Sequence, residues 1–272
     1  MINTWLSYNQ RQPSPYGSFT IVDVSELGEP SEDVKNHIAN TILESYRNIN
    51  FYKIHFEHEP QQALLDYLDT YVFPGEDNNI VRNVKQGDYG EILAQLIVEY
   101  FCELEVPIHK MRHKFNKDRS VFCTDMIAHN SGEPLTDIYY YEVKTRRTMI
   151  RTDGHYPPVN AHNSLLNDQN GGTEGIADFL CRMYFERGDY DKSKKYGEVI
   201  KNPSAFIRHF ELFFIIETDI YLEEIVEELN ALPPTLTPLN VTVVLIRDLA
   251  QKLQDGFDRA KTQVITIVYP QS

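Results

Sequence analysis

Residues 121–144 read VFCTDMIAHNSGEPLTDIYYYEVK, and this stretch decides the fold. Two runs rich in β-branched and aromatic residues, 121–128 and 138–144, are separated by turn residues at 130–134. Runs of this kind predict two adjacent strands joined by a turn. We expect a further strand over residues 106–113, so that the three strands form a meander.

An amphipathic helix is predicted ahead of the meander, over residues 86–101. Its apolar face follows helical spacing. The face comprises Ile92, Leu93, Leu96, Ile97, Tyr100 and Phe101. Glu91 lies beside that face, on a stripe shared with Asp88 and Gln95. The helix dipole explains an acidic residue near a helix start equally well, so Glu91 alone indicates little.

The rest of the chain alternates strands with helices. We predict a strand at 19–24, a helix that Ser31 caps, and a second helix at 61–72 with turn residues at 73–79. Residues 146–175 show little periodicity and predict a long loop, and residues 190–196 show no clear pattern. The later elements are a helix at 175–186, a strand at 212–217, a helix at 221–230, a strand at 241–246, a helix at 249–261 and a strand at 264–268.

This order of elements predicts an α/β protein with a mixed sheet flanked by helices. We expect an α+β N-terminal region over residues 1–84, packed on the core or on a partner, and a core domain over residues 85–272. The chain has 272 residues, of which 42% are hydrophobic, and this is enough to bury a sizeable core.

Composition narrows the cellular setting. The chain begins without the basic and apolar regions of a secretory signal, and no apolar run reaches membrane-spanning length, so we expect a cytoplasmic protein. Cys102, Cys123 and Cys181 form no C-x-x-C pair and are expected to be reduced, mostly buried thiols. His109 and His113 fall in a predicted strand, where a spacing of four does not build a zinc site.

The formal net charge of -14 argues against a chain that grips duplex DNA by itself. Neutralisation of phosphates by basic residues supplies most of the nonspecific affinity for DNA. Any action on DNA therefore needs help from divalent cations, from a local basic patch or from a partner that delivers the nucleic acid.

The candidate chemistry lies on the predicted meander. Glu142 and Lys144 are two residues apart on one strand, so they share a face, and Asp125 on the preceding strand can lie beside them. Carboxylates on neighbouring strands suit Mg²⁺ or Mn²⁺, which prefer oxygen ligands. The ammonium group of Lys144 can orient the water that attacks a phosphodiester. The alternative is a cross-strand salt bridge of Lys144 with Asp125 or Glu142.

Four segments occur in a characteristic order: GDYGEIL at 87–93, VPIHKMR at 106–112, TDM at 124–126 and YEVK at 141–144. In these segments the chain resembles the PD-(D/E)XK nuclease superfamily and, within it, the nuclease subunits of the Hachiman anti-phage defence system. The resemblance implies a restriction-endonuclease-like fold and metal-dependent DNA cleavage. It also implies a partner superfamily 2 helicase that holds the DNA and restrains the nuclease.

The resemblance assigns a role to each candidate residue. It implies that Asp125 and Glu142 bind the metal, that Lys144 assists the water, and that Glu91 is the carboxylate contributed by the helix. The basic stretch 145–151 is either a phosphate contact or a solvated loop, and the predicted loop 151–173 is a partner surface, a lid or an insertion.

Three other interpretations stay open at this point. The chain could be a nuclease-like subunit that binds DNA or regulates without cleaving, although such a subunit has no need of the trio Asp125, Glu142 and Lys144. It could be a restriction or repair nuclease without a helicase, which would call for a basic groove or a specificity domain. Finally, the motif could be a coincidence in an unrelated α/β protein.

Overall fold

A computed structural model describes residues 1–119, 124–152, 154–172 and 174–270. Its strands are β1 Leu6–Gln10, β2 Thr20–Glu26, β3 Leu104–Glu105, β4 Met126–Asn130, β5 Asp137–Arg146, β6 Ile207–Glu217 and β7 Leu239–Ile246. Its α-helices are α1 Glu32–Tyr46, α2 Ile49–Phe56, α3 Gln61–Tyr67, α4 Asn79–Phe101, α5 Pro157–Gly172, α6 Glu174–Glu186, α7 Tyr190–Lys201, α8 Glu224–Glu227 and α9 Leu249–Val268.

All the strands named above form one mixed sheet in the order β1-β2-β7-β6-β5-β4-β3. The central strands β2, β7, β6 and β5 run parallel, and the outer pairs β1-β2, β5-β4 and β4-β3 are antiparallel. Parallel strands covered on both faces read as continuous apolar runs, which is how residues 212–216 of β6 and residues 243–246 of β7 read. The predicted α/β class, with a restriction-endonuclease-like sheet, is confirmed.

Helices cover both faces of the sheet. Helices α1, α4 and α9 pack on one face, in a core that contains Tyr141 and Val143 of β5. Helices α5, α6 and α7 cover the other face, in a core that contains Tyr140. Because side chains alternate along a strand, Glu142 and Lys144 share the second face with Tyr140. The sequence of β5 thus directs two charged side chains towards α5.

The N-terminal predictions are mostly confirmed. Strand β2 and helix α1 form as expected, and the hydroxyl of Ser31 accepts a hydrogen bond from the N–H of Val34 at 3.4 Å. Strand β1 was not predicted because its sequence is largely polar. Helix α2 was not predicted either. The second predicted helix continues past α3 as a π-helical turn, Leu68–Val72. Strand β2 pairs with β7, so this region completes the sheet, while the division into domains at residue 84 stays a prediction.

The predicted strand over residues 106–113 is wrong. Strand β3 ends at Glu105, and Lys110–His113 form a 3-10 helix. The alternating apolar residues Val106 and Ile108 suggested a strand, but Pro107 cannot donate a ladder hydrogen bond and Lys110 turns into the interior. Helix α4 also begins earlier than expected, at Asn79, where the side chain of Asn78 caps it.

The predicted loop over residues 146–175 is also wrong, because most of it forms α5. Helix α5 is rich in asparagine and glycine, which obscures its pattern, yet Val159, Ala161 and Leu165 are fully buried. Pro157 and Pro158 stand at its first turn, where proline is tolerated. The polar stretch after residue 190 forms α7, with Asp189 as its cap.

Two C-terminal predictions need correction. The expected strand at 264–268 is instead the last part of α9, in which Val264 and Val268 continue the buried stripe of Phe257 and Ala260. A spacing of four between apolar residues fits a helix face rather than a strand. The helix expected at 221–230 is reduced to α8 followed by a 3-10 turn.

Of the strand expected at 121–128, residues 121–123 lie outside the described residues.

Helix α4 approaches β5 closely at Gly90. A Cβ atom built on Gly90 would lie 1.7 Å from Oγ1 of Thr145 and 3.0 Å from its Cβ. Glycine in a helix costs about 1 kcal/mol relative to alanine, and here it leaves room for the side chain of Thr145 against the helix. The contact sets Glu91, the next residue, beside the end of β5.

We expect Gly90→Ala to lower the free energy of unfolding by about 1–3 kcal/mol, because the added methyl group overpacks the contact with Thr145. Gly87→Ala is the matched control on the same helix, since a methyl group added there would meet no other atom within 4 Å. The control should gain up to about 1 kcal/mol from helix propensity. Urea unfolding followed by circular dichroism measures both, and equal stability of the two variants would contradict the close contact.

Candidate active site

A cleft of about 1010 Å³ opens where β5 and β6 end. Its walls come from the first half of α4, the residues just before β4, the end of β5 and the start of α9. The charged and amide side chains that line it are Asn83, Gln86, Glu91, Asp125, Lys144, Arg146, Arg147 and Glu217. Crevices at the carboxyl ends of parallel strands are the usual ligand sites of open α/β sheets.

Asp125, Glu142 and Lys144 meet in this region. Asp125 lies one residue before β4, and its Oδ2 accepts a hydrogen bond of 2.8 Å from the backbone N–H of Val143. The Nζ atom of Lys144 lies 2.5 Å from Oε1 of Glu142 and 3.8 Å from Oδ2 of Asp125. The structure therefore brings together the three residues that the sequence singled out on the meander.

Glu91 reaches this group through Lys110. The Nζ atom of Lys110 lies 3.2 Å from Oε2 of Glu91 and 3.4 Å from Oδ1 of Asp125. Lys110 is itself 7% exposed and also lies 3.4 Å from the carbonyl oxygen of Thr124. Carboxylates and ammonium groups thus alternate from Glu91 through Lys110, Asp125 and Lys144 to Glu142. We call these five residues the charged row.

Burial shifts the acid–base behaviour of this row. Desolvation raises the pKa of Glu142 to about 7, and Asp125 adds to the rise while Lys144 opposes it. Desolvation likewise raises the pKa of Glu91 to about 8, with Lys110 opposing and Asp125 adding. Burial disfavours the charged form of Lys110, but the carboxylates of Glu91 and Asp125 outweigh it and raise its pKa. Burial therefore makes Glu142 and Glu91 hold their protons to a higher pH than exposed glutamates do.

The residues present offer oxygen donors for a divalent cation. Glu142 is 3% exposed, and its Oε2 has no hydrogen-bond partner within the described chain. In the same residues, no group of three or more His, Cys, Asp or Glu side chains is already arranged to hold a metal ion. Lys110 and Lys144 lie next to the carboxylates of the row. The donor chemistry of the carboxylates fits a hard divalent cation.

Sequence reasoning missed two charged groups of this region, one in the row and one beside it. Lys110 was placed on a strand, and no spacing signal indicated that it turns inward. Asp168 on α5 accepts a hydrogen bond of 3.4 Å from the hydroxyl of Thr124, and its charge contributes to the raised pKa of Glu142. Asp168 belongs to the stretch that lacked periodicity, so only the fold of α5 could place it.

Part of the basic stretch 145–151 lines the cleft. Arg147 donates a hydrogen bond of 2.6 Å to the side chain of Gln86, which in turn donates one of 2.7 Å to the carbonyl of Thr145. Arg146 and Arg147 both line the cleft. Among the cysteines, Cys102 and Cys181 are half-buried free thiols, and Cys123 lies outside the described residues.

Glu211 on β6 provides a comparison for Glu142. It is buried, its Oε1 accepts a hydrogen bond of 2.6 Å from Asn240, and desolvation raises its pKa to about 7. Glu211 is in register with Tyr141, so its side chain lies on the face of the sheet opposite to that of Glu142. Neither glutamate lines the cleft, but Glu142 pairs with Lys144, which does.

A mixed sheet covered on both faces, with acidic residues and a Glu-x-Lys pair gathered at one end, defines a restriction-endonuclease-like α/β protein. The HamA family model matches residues 1–249 of the 272. The chain therefore belongs to the HamA family, which places it in Hachiman antiviral defence. No curated protein matches it. In the described part of the chain, no helix combines the length and the apolar character needed to cross a membrane.

We expect Glu142→Gln to stabilise the protein increasingly between pH 5 and pH 8 in metal-free buffer. Folding raises the pKa of this carboxyl from 4.5 to about 7, so the folded wild type binds more protons in that window and loses stability as the pH rises. Glutamine mimics the protonated form and avoids the loss, which amounts to at most about 3 kcal/mol.

Urea unfolding of both proteins at several pH values measures this difference. Glu211→Gln is the matched control, because the pKa of Glu211 is raised to a similar value on the opposite face of the sheet. The control should show the same pH dependence. Parallel pH profiles for the wild type and Glu142→Gln would contradict the raised pKa.

Proposed function

We propose that this HamA family member is a divalent-metal-dependent deoxyribonuclease and the effector of a Hachiman defence complex. The observation that carries the proposal is the convergence of Asp125, Glu142 and Lys144: Asp125 and Lys144 line the cleft, and Glu142 lies 2.5 Å from Lys144. Glu142 is nearly inaccessible and keeps an unpartnered carboxylate oxygen. A residue of this kind is costly to a fold unless its charge has a use.

In the proposed reaction, Asp125 and Glu142 hold Mg²⁺ or Mn²⁺, and Glu91 lends a further carboxylate. A bound divalent cation lowers the pKa of water and stabilises negative charge that develops on phosphate oxygens. Lys144 orients the attacking water and stabilises the developing charge through its ammonium group. The backbone N–H of Val143 fixes one oxygen of Asp125, so the carboxylate is held in place before substrate arrives.

The salt-bridge interpretation explains less of the geometry. An exposed ion pair needs no burial, whereas the Glu142 side chain is 4% exposed and shares its lysine with Asp125. Removing a charge from water is unfavourable, so a purely structural pair would be better placed at the surface. A cleavage assay with and without a helicase distinguishes the proposal from two alternatives. One is a catalytically silent DNA-binding or regulatory subunit, and the other is a stand-alone restriction or repair nuclease.

A partner that holds DNA fits the charge of the chain. The net charge of -14 repels the phosphate backbone, and the cleft offers Lys144, Arg146 and Arg147 beside several carboxylates. We propose that a HamB-like superfamily 2 helicase grips the DNA and presents it to this cleft. The basic residues at the rim would then contact phosphates only locally.

We expect cleavage of plasmid DNA that requires Mg²⁺ or Mn²⁺ and falls at least about 100-fold in Lys144→Ala, because the positioned ammonium is lost. Asp125→Ala and Glu142→Ala should fail to the same extent and should give no phage protection. The assay uses the purified chain alone and with its helicase plus ATP, followed on agarose gels.

Glu211→Gln is the control for this experiment, since it alters a buried carboxyl outside the cleft and should cleave normally. Helicase-dependent cleavage would support the complex, and cleavage by the chain alone would favour a stand-alone nuclease. Normal cleavage and normal phage protection by the three alanine variants would refute the catalytic assignment. Absence of cleavage under every condition would favour the silent subunit.

We expect the isolated chain to bind duplex DNA weakly, with a Kd above about 1 µM at physiological salt, because its overall charge opposes the phosphates. Fluorescence anisotropy of a labelled duplex in EDTA measures this affinity without cleavage. Addition of the helicase should produce a tight complex that contains both proteins. A tight complex of the chain alone would contradict the proposed division of labour.

A further inference from the structure

We infer that Lys110 is a positioning residue that acts as an internal cation: its ammonium competes with the divalent metal for Asp125 and Glu91, and so keeps the metal affinity of the resting site low. The inference rests on the proposed function, because it concerns the same carboxylates. It adds a regulatory role for a residue that has no part in the chemistry proposed above.

The geometry of Lys110 is that of a bound cation. Its Nζ atom lies between a carboxylate of α4 and the carboxylate that precedes β4, at 3.2 Å from Glu91 and 3.4 Å from Asp125. The carbonyl oxygen of Thr124 adds a third oxygen at 3.4 Å. Three oxygens around one buried positive group is also the kind of environment that a hard metal ion takes.

The local backbone directs the side chain into this position. Lys110 begins the 3-10 helix Lys110–His113, and both it and Met111 are buried. Residues on an exposed strand would leave a lysine free to reach solvent, as long basic side chains usually do. The 3-10 helix that replaces the predicted strand therefore places an ammonium group in the charged row.

The two lysines of the charged row use different oxygens of Asp125. Lys110 approaches Oδ1, whereas Lys144 lies nearer Oδ2. A divalent ion held by Asp125 and Glu142 would be repelled by the unit charge of Lys110, and Glu91 could not contribute while it is paired. Coulomb repulsion is large in a poorly solvated site, so removal of this charge should strengthen metal binding.

Lys114 is a natural control for Lys110. Its side chain is 3% exposed, and its Nζ atom lies 2.5 Å from Oδ2 of Asp88, one turn before Glu91 on α4. It is therefore an equally buried lysine, paired with a carboxylate of the same helix. Because Asp88 is not among the proposed metal ligands, loss of the Lys114 charge should leave the metal affinity nearly unchanged.

The test is calorimetric titration of the full chain with Mn²⁺ at pH 8, without DNA. We expect Lys110→Met to bind Mn²⁺ at least about tenfold more tightly than the wild type. Lys110→Arg should retain the weak Mn²⁺ binding of the wild type, because it keeps the positive charge. Lys114→Met should bind Mn²⁺ as weakly as the wild type. Glu142→Gln should abolish binding in every background.

Unchanged or weaker Mn²⁺ binding by Lys110→Met would overturn the inference, and the proposed metal site would still stand if the wild type binds and Glu142→Gln does not. Absence of binding by both the wild type and Lys110→Met would overturn both proposals. If Lys110→Met does not fold, Glu91→Gln/Lys110→Met compared with Glu91→Gln gives the same contrast without an unpaired buried carboxylate. Equal affinity of those two variants would also overturn the inference.

Discussion

Burial of charge beneath helices on both faces of a sheet is the constraint on which this site depends. A carboxylate in such a place loses its hydration, and it keeps its charge only if a positive group lies close by. The charged row meets this requirement by alternation, with Lys110 between Glu91 and Asp125 and with Lys144 between Asp125 and Glu142. Strand β5 contributes one charge of each sign, Glu142 and Lys144.

The same constraint explains why several distant segments must pack before the row exists. Glu91 reaches it only because Gly90 allows α4 to touch β5. Asp125 is oriented by the backbone of Val143, and Lys110 by a short turn after β3. The site is therefore a product of tertiary packing, although Glu142 and Lys144 come from a single strand.

The difference between local pattern and tertiary packing also separates what the sequence could predict from what it could not. Glu142 and Lys144 follow the two-residue period of a strand, so their shared face could be predicted from local pattern alone. Asp125 needed only the pairing of neighbouring strands. Lys110 and Asp168 lie on a turn and on a helix whose patterns were masked by proline, asparagine and glycine, and their positions depend on packing that leaves no periodic signal.

A raised pKa by itself does not mark the site, and the two buried glutamates of the sheet show why. Glu142 and Glu211 are both desolvated, and the pKa of each is raised to about 7. Glu211 satisfies its carboxyl with Asn240 on the opposite face of the sheet, whereas Glu142 lies beside Lys144 and keeps one oxygen unpartnered. Burial sets the pKa in both cases. What distinguishes a candidate catalytic carboxylate is therefore the set of charges that surrounds it, together with an unpartnered oxygen.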